Sequence, residues 1–195
     1  MDLDEKSDII CSKYVKSIEK TVNLEKHQNY IDRYFIRKYY IDFKEENNDH
    51  CVLIHSNRLC VITLAPSHPI VRDKVKINNI DFQISKNVNR LENKACGKRK
   101  RNAQFVSPTS PICFLECSNK KKYIISSPVC GKLLEINDKL ATQPELLHLC
   151  YTNNYNKECY IAIIVPKHNI SLEDLTKDLL TEDQYMKALS DKGKI

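Results

Sequence analysis

Glycine is scarce in this chain, and tryptophan is absent. The 195 residues include three glycines and no tryptophan. A loop that cradles phosphates needs several closely spaced glycines, because its backbone amides must approach the phosphate without a Cβ in the way. A tryptophan-based surface for stacking nucleic-acid bases is excluded as well. The composition therefore argues against nucleotide hydrolysis.

Long hydrophobic runs are also missing. The longest one, residues 159–165, is far shorter than the roughly 20 residues of a membrane-spanning helix. Residues 1–6 are polar and acidic, unlike the start of a signal peptide. We therefore expect a soluble protein inside the cell, without a membrane partner.

The cysteines follow no repeated short spacing. Nine of them are scattered along the chain, which fits reduced thiols in the cytosol or nucleus rather than a disulfide framework. Four residues of the types that bind zinc lie in one stretch: Cys51, His55, Cys60 and His68. Their spacing is not that of a zinc finger, and no third group orders a His and a Cys for nucleophilic attack. We expect no metal, no cofactor and no catalytic residue.

Positive charge is concentrated in two clusters, within a formal net charge of +6. The first cluster is Lys98, Arg99, Lys100 and Arg101. The second is Lys120, Lys121 and Lys122. A basic run can be a nuclear import signal, a contact for phosphate or an acidic protein, or a solvated loop. The sequence leaves these three interpretations open.

Residues 123–140 predict two strands joined by a corner. The first residues are aromatic or β-branched, Ser126, Ser127 and Pro128 interrupt them, and an extended run resumes at residues 133–136. Gly131 supplies a position that is free to take a positive φ.

Two further hairpins have clear patterns. Residues 50–55 and 58–64 are rich in β-branched side chains and are joined by a two-residue turn, Ser56 and Asn57. Residues 112–117 and 123–125 form a hairpin with the lysines at its tip.

Residues 75–77 and 80–84 alternate in polarity around Asn78 and Asn79, which predicts another hairpin turn at the two asparagines. Residues 86–101 are polar and should form a surface connection.

In the C-terminal third, the pattern of apolar residues changes from that of a strand to that of helices. Residues 159–165 predict a buried strand that ends at Pro166. Residues 171–174 and 181–184 have the form of helix starts, and a short helix should pack on the sheets. Residues 1–30 are expected to form a weakly helical or disordered extension, residues 31–190 one domain, and residues 191–195 a tail.

The corner sequence S-P-V-x-G-x-L-x-E-I-N at residues 127–137 resembles lipoyl and biotinyl carrier domains, most closely the glycine-cleavage H-protein. The resemblance implies a mostly β barrel-sandwich hybrid with short C-terminal helices. In carriers the modified lysine precedes the corner by about seven residues, a position held here by Lys120. The residues around it lack both the lipoyl and the biotin attachment motifs.

A longer set of segments resembles the Abitram family of actin-binding transcription modulators. These segments occur in order at residues 32–40, 49–70, 83–105, 123–137, 160–167 and 179–185. The resemblance implies an H-protein-like fold without carrier chemistry and binding to actin monomers and filaments. It also implies a location in the nucleus, including speckles, and in the cytoplasm, including cell projections such as lamellipodia.

The leading prediction is a non-enzymatic actin-binding protein whose two basic clusters contact an acidic partner. One alternative is a covalent carrier that is lipoylated at Lys120. The other is an RNA-binding nuclear protein that uses the aromatic and basic residues 33–40, including Tyr34 and Tyr39. Nucleic acid is not a partner in the leading prediction.

Overall fold

The computed structural model describes residues 30–42, 48–150 and 158–191. They divide into two compact units, one that ends at Tyr34 and one that begins at Phe35. The first unit contributes helix α1 (Tyr30–Tyr34). The expected extension and tail lie almost entirely outside the described residues, so the predicted domain boundaries stay a prediction.

The second unit consists mainly of short strands. They are β1 (Phe35–Tyr40), β2 (His50–His55), β3 (Cys60–Leu64), β4 (Ile77–Asp81), β5 (Gln83–Ser85), β6 (Val88–Asn89), β7 (Phe105–Val106), β8 (Pro111–Cys117), β9 (Lys122–Ser126), β10 (Gly131–Ile136) and β11 (Ala162–Pro166). The helices are α2 (Pro69–Arg72), α3 (Leu172–Thr176), α4 (Glu182–Asp191) and two 3₁₀ turns (Asp138–Ala141 and Pro144–Leu149). Among these helices none has the length and apolar character needed to cross a membrane.

The strands pair antiparallel in three sheets. The largest has six strands in the order β1-β2-β3-β11-β10-β7, a second has the order β4-β8-β9, and β5 pairs with β6. Alternate residues of the two larger sheets meet in one core cluster, which includes Ile62, Leu115, Ile125 and Leu133. The mostly β fold class, with short C-terminal helices, is therefore confirmed.

Helix α4 covers the other face of the six-stranded sheet. Tyr185 and Leu189 of α4 are buried in a second cluster with Tyr39, Cys51 and Ala65. The predicted C-terminal helix that packs on the sheets is confirmed.

Both predicted helix starts are capped as expected. Ser171 Oγ accepts from the Asp174 amide at 3.0 Å. At the start of α4 the Thr181 amide donates to Gln184 Oε1 (2.9 Å), and the Gln184 amide donates to Thr181 Oγ1 (3.3 Å). This reciprocal pair is a capping box, which satisfies two amides that have no partner inside the helix.

Gly131 is needed for a different reason than the one predicted. It lies in β10 and does not take a positive φ. A Cβ at this position would lie 2.3 Å from Val165 O and 2.7 Å from Ile164 Cγ2. The corner therefore requires glycine because β10 and β11 approach each other too closely for a side chain.

The hairpin of β2 and β3 is confirmed, but its connection is longer than predicted. The His55 amide donates to Leu59 O (2.9 Å) and the Arg58 amide donates to His55 O (2.7 Å). The loop thus comprises residues 56–58 rather than two residues. Arg58 has a φ of 70°, the left-handed position of a three-residue hairpin loop.

The hairpin turn predicted at Asn78 and Asn79 is wrong. Both residues lie within β4, where Asn79 pairs with Glu116 of β8. The register shifts between Ile77 and Asn79, so that Ile77 and Ile80, three residues apart, are both buried. A β-bulge adds one residue to a strand and restores its inward face, which simple alternation does not reveal.

The polar connection at residues 86–101 is only partly a surface segment. Arg90 is buried, and its guanidinium donates to Pro111 O (2.9 Å) and Gln104 Oε1 (2.8 Å). These bonds tie the connection to the start of β8.

Candidate functional site

The first basic cluster, Lys98–Arg101, forms the tip of a small closed turn that we call the basic loop. The Cys96 amide donates to Arg101 O (3.0 Å), and the Arg101 amide donates to Cys96 O (2.9 Å). Gly97 has a φ of 67° and Lys100 a φ of 47°. The tight turn therefore relies on left-handed backbone, which glycine takes without strain.

Lys132 fastens the basic loop to the body of the domain. Its ammonium donates to Arg99 O (2.8 Å) and Lys100 O (3.2 Å). Lys132 lies in β10, more than thirty positions away in sequence, and no local pattern in the sequence indicates this contact. The loop backbone is thus held in place while its side chains face solvent.

The basic loop carries uncompensated charge. Lys98, Arg99 and Arg101 are exposed. None of the loop's four cations forms an ion pair with any residue in the described ranges. A dense positive field therefore projects from this edge of the domain.

The second basic cluster, Lys120–Lys122, lies at the end of the β8–β9 hairpin and is called the lysine tip. The Cys117 amide donates to Lys121 O (3.0 Å), and Lys120 has a φ of 63°. Lys122 forms an ion pair with Glu116 at 2.5 Å, which raises the pKa of Lys122. The two remaining lysines of the tip are exposed.

The structure does not bring the two clusters together. The basic loop is bound to Lys132, next to the corner where β10 begins, and Arg90 of the same connection donates to Pro111 O at the start of β8. The lysine tip follows Cys117, at the far end of the same strand. Seven extended residues span about 20 Å, so the clusters are separate surfaces.

The four residues considered for zinc are dispersed. Cys60 packs in the core between the sheets, whereas Cys51 packs in the cluster under α4. Within the described ranges, no three His, Cys, Asp or Glu side chains are placed to hold a metal ion. Burial raises the pKa of the Cys60 thiol to about 12, so Cys60 carries no nucleophilic thiolate near neutral pH.

Two buried histidines, His50 and His68, lie near each other, and His68 packs against Tyr123 of β9. His68 Nε2 is 3.3 Å from Asn48 Oδ1, while Asn48 Nδ2 donates to Ile124 O at 2.8 Å. His50 is fully buried, and neither of its ring nitrogens has a partner among the described residues. Burial lowers the pKa of His50 to about 4 and that of His68, which also lies near His50, to about 3. Both are neutral core histidines.

The structure also restricts the RNA-binding alternative. Tyr39 is 3% exposed and stacks on Tyr185, with ring centroids 4.5 Å apart. A buried ring cannot receive a nucleic-acid base, so Tyr39 is removed from the residues proposed for that function.

The described domain is a small β scaffold whose two basic clusters lie at connections between strands, as is common for binding modules. No protein-family model matches the chain. Protein Abitram of Danio rerio is 43% identical over 170 residues, which cover 87% of this chain and 93% of that protein. Protein Abitram of Homo sapiens is 44% identical over 156 residues, or 80% and 83% of the two chains. The chain belongs to the Abitram family.

Another, more distant relative aligns over less of the chain. Protein Abitram of Dictyostelium discoideum is 35% identical over 140 residues, covering 70% of this chain and 74% of that protein. Among solved structures, a glycine cleavage system H protein from Mycobacterium marinum is similar with a TM-score of 0.48 and 11% identity, covering 80% of this chain and 96% of that one. Similarity at this level carries no argument about carrier chemistry.

Proposed function

We propose that the protein is a non-enzymatic actin-binding protein that modulates actin polymerisation. Membership of the Abitram family supports the proposal through the actin binding that the resemblance implies. The observation that carries it is the basic loop, whose cations are held on a closed turn without compensating carboxylates in the described chain. Such a surface suits an acidic protein partner.

Surface charge of this kind acts mainly on the rate of encounter. Opposite charges on two proteins steer diffusion, and dissolved salt screens them over about 10 Å at 0.1 M ionic strength. Binding to actin monomers and filaments should therefore weaken as the salt concentration rises. We place this activity in the cytoplasm, including cell projections such as lamellipodia, and also in the nucleus, where the family's transcription-related role belongs.

Co-sedimentation with filamentous actin across a salt series tests the proposal. The full chain should bind saturably at low salt and lose affinity progressively toward 0.5 M salt. A variant in which all seven cations of the basic loop and the lysine tip are Gln should lose most of this binding. Replacement of seven lysines and arginines outside both clusters, including Lys74, Lys177 and Lys187, provides a control of equal net charge. If neither the affinity nor its salt dependence differs between the two variants, the charged-surface proposal is wrong.

One observation keeps the lipoyl carrier as a second candidate. Lys120 is exposed at the tip of a hairpin and has a left-handed backbone, so an attached arm would reach solvent. The intact mass of protein purified from its own cells is the test. An added lipoyl group that disappears in Lys120→Arg would establish the carrier, and an unmodified mass would remove it.

A further inference from the structure

A groove runs beside the basic loop and was not evident from the sequence. It lies between the loop, β7, the start of β10 and the residues that follow β11, and its volume is about 580 Å³. The cations that line it are Lys98, Arg99, Lys100, Lys132 and Lys167. Among the described residues at its walls there is no carboxylate. We call it the basic groove.

One aromatic side chain stands in this positively charged groove. Phe105 of β7 is 53% exposed, whereas the next residue, Val106, is fully buried. The Lys167 ammonium lies 5.8 Å from the centroid of the Phe105 ring. An exposed phenyl ring at the edge strand of the largest sheet offers an apolar contact next to the cations.

The groove is built on rigid elements. Lys132 holds the basic loop through hydrogen bonds to two of its backbone carbonyls. Gly131, which lines the groove, lets β10 approach β11 closely. A surface whose shape is fixed before binding loses less conformational entropy when a partner docks.

We propose that the basic groove binds an acidic peptide segment of a protein partner. Carboxylates of the segment would meet Lys98, Arg99 and Lys167, and one apolar side chain would pack on Phe105. The inference deepens the proposed function, and it rests on that function only in taking the partner to be an acidic protein.

The composition of the groove favours a peptide over a nucleic acid. A single strand of nucleic acid is held by successive aromatic platforms, one for each stacked base. Phe105 is the one Phe, Tyr or Trp among the described residues that line the groove. Charge complementarity with one apolar contact matches a short segment of Glu or Asp around an aliphatic residue.

Fluorescence anisotropy tests the proposal with two labelled peptides, in which Glu residues flank a central Leu or a central Ser. The full chain should bind the Leu peptide at low salt, and the Ser peptide about fivefold more weakly. Phe105→Ala should remove this preference. Arg99→Gln combined with Lys167→Gln should weaken binding about tenfold.

The lysine tip provides the matched control. Lys120→Gln combined with Lys121→Gln removes the same charge from a surface at the far end of β8, and it should leave peptide affinity within about twofold. Equal losses in the two double variants would overturn the groove, because only net charge would then matter. No binding of the Leu peptide, or no preference for Leu over Ser, would also overturn it. Tighter binding of a labelled single-stranded oligonucleotide that depends on Arg99 and Lys167 would replace the peptide with nucleic acid.

Filamentous actin, measured with the same variants, separates this inference from the proposed function. Groove-dependent peptide binding without actin co-sedimentation would refute the actin proposal and leave the groove intact. Actin co-sedimentation that survives in the absence of peptide binding would refute the groove and keep the actin proposal.

Discussion

The rings of Tyr39 and Tyr185 stack with their centroids 4.5 Å apart and their planes within 5° of parallel. Tyr39 belongs to β1, at one edge of the six-stranded sheet, and Tyr185 belongs to α4. The backbones meet beside the stack, where the Tyr39 amide donates to Leu180 O (2.9 Å) and the Leu180 amide donates to Tyr39 O (2.8 Å). The stack and this two-bond bridge join the C-terminal segment to the sheet.

Truncation of Tyr185 should strongly destabilise the domain. Tyr185→Ala removes a buried ring and should lower the free energy of unfolding by about 3–5 kcal/mol. Tyr185→Phe keeps the stack but removes the hydroxyl that contacts Ser67 and donates to Asp49 Oδ2 at 3.1 Å. Because Asp49 is buried, that loss should cost about 1–3 kcal/mol. Urea unfolding of both variants measures the two effects. If the Phe variant is as unstable as the Ala variant, the stacked ring is not the source of the larger loss of stability.

Substitutions of Gly97 and Gly131, the two glycines within the described residues, should have unequal effects. Gly131→Ala places a methyl group within 2.3 Å of Val165 O and should cost about 3 kcal/mol, because two backbones must separate. Gly97→Ala meets nothing within 4 Å and strains only a φ of 67°, so about 1 kcal/mol is expected. Thermal unfolding compares the variants. Equal losses of stability in the two variants would show that the close approach of β10 and β11 does not restrict position 131 to glycine.

Stability should fall on mild acidification because of the two buried histidines. Their pKa values in the folded protein, about 4 for His50 and about 3 for His68, lie below the ordinary value of 6.5. The unfolded chain therefore binds more protons in this range, and the free energy of unfolding decreases as the pH falls from 6.5 toward 4. The loss at pH 5 should be roughly 2 kcal/mol per histidine.

His50→Leu should isolate one part of this pH dependence. The variant removes a titratable ring whose nitrogens have no partner among the described residues, so its stability at pH 7.5 should be unchanged or higher. Between pH 7.5 and 5 it should lose less stability than the parent chain in urea unfolding. His168→Gln, at an exposed position, is the control and should follow the parent. An unchanged pH slope in His50→Leu would exclude His50 as a source of acid sensitivity.

Loss of the α4 cap should have a moderate cost. Thr181→Ala removes one half of the reciprocal bonds with Gln184 and should destabilise the domain by about 1 kcal/mol in urea. Ser190→Ala is the matched control, since its hydroxyl only donates to Met186 O within the helix at an exposed position. A loss as large in Ser190→Ala would show that the cap is not the cause.

The two basic clusters should contribute independently to actin affinity. The segments that carry them contact opposite ends of β8, which is about 20 Å long, whereas the screening length is roughly 10 Å at 0.1 M salt. Gln variants of the basic loop and of the lysine tip should therefore have additive effects on the co-sedimentation affinity. We expect the larger loss from the basic loop, because Glu116 already pairs with Lys122 of the tip. Strong coupling between the clusters would mean that they contact one site on the partner.

Local patterns were sufficient for much of the fold. Runs of β-branched and aromatic residues located β2, β3 and β9, and the hydroxyl caps located α3 and α4, since each signal lies within a few consecutive residues. Alternation of polarity failed at Asn78 and Asn79, because a bulge in β4 shifts the alternation by one residue. Local patterns also explained Gly131 by its freedom to take a positive φ, although the requirement comes from β11, more than thirty residues later.

The sequence by itself determined the mostly β class, the helix caps, the membership of the Abitram family and the positions of both cationic clusters. Tertiary structure alone decided that the clusters lie at opposite ends of β8, and that Phe105, Lys132 and Lys167 adjoin only one of them. The physical reason is the order of strands in the six-stranded sheet. Antiparallel pairing places β7, β10 and β11 side by side, and contacts between such distant segments leave no local periodicity in the chain.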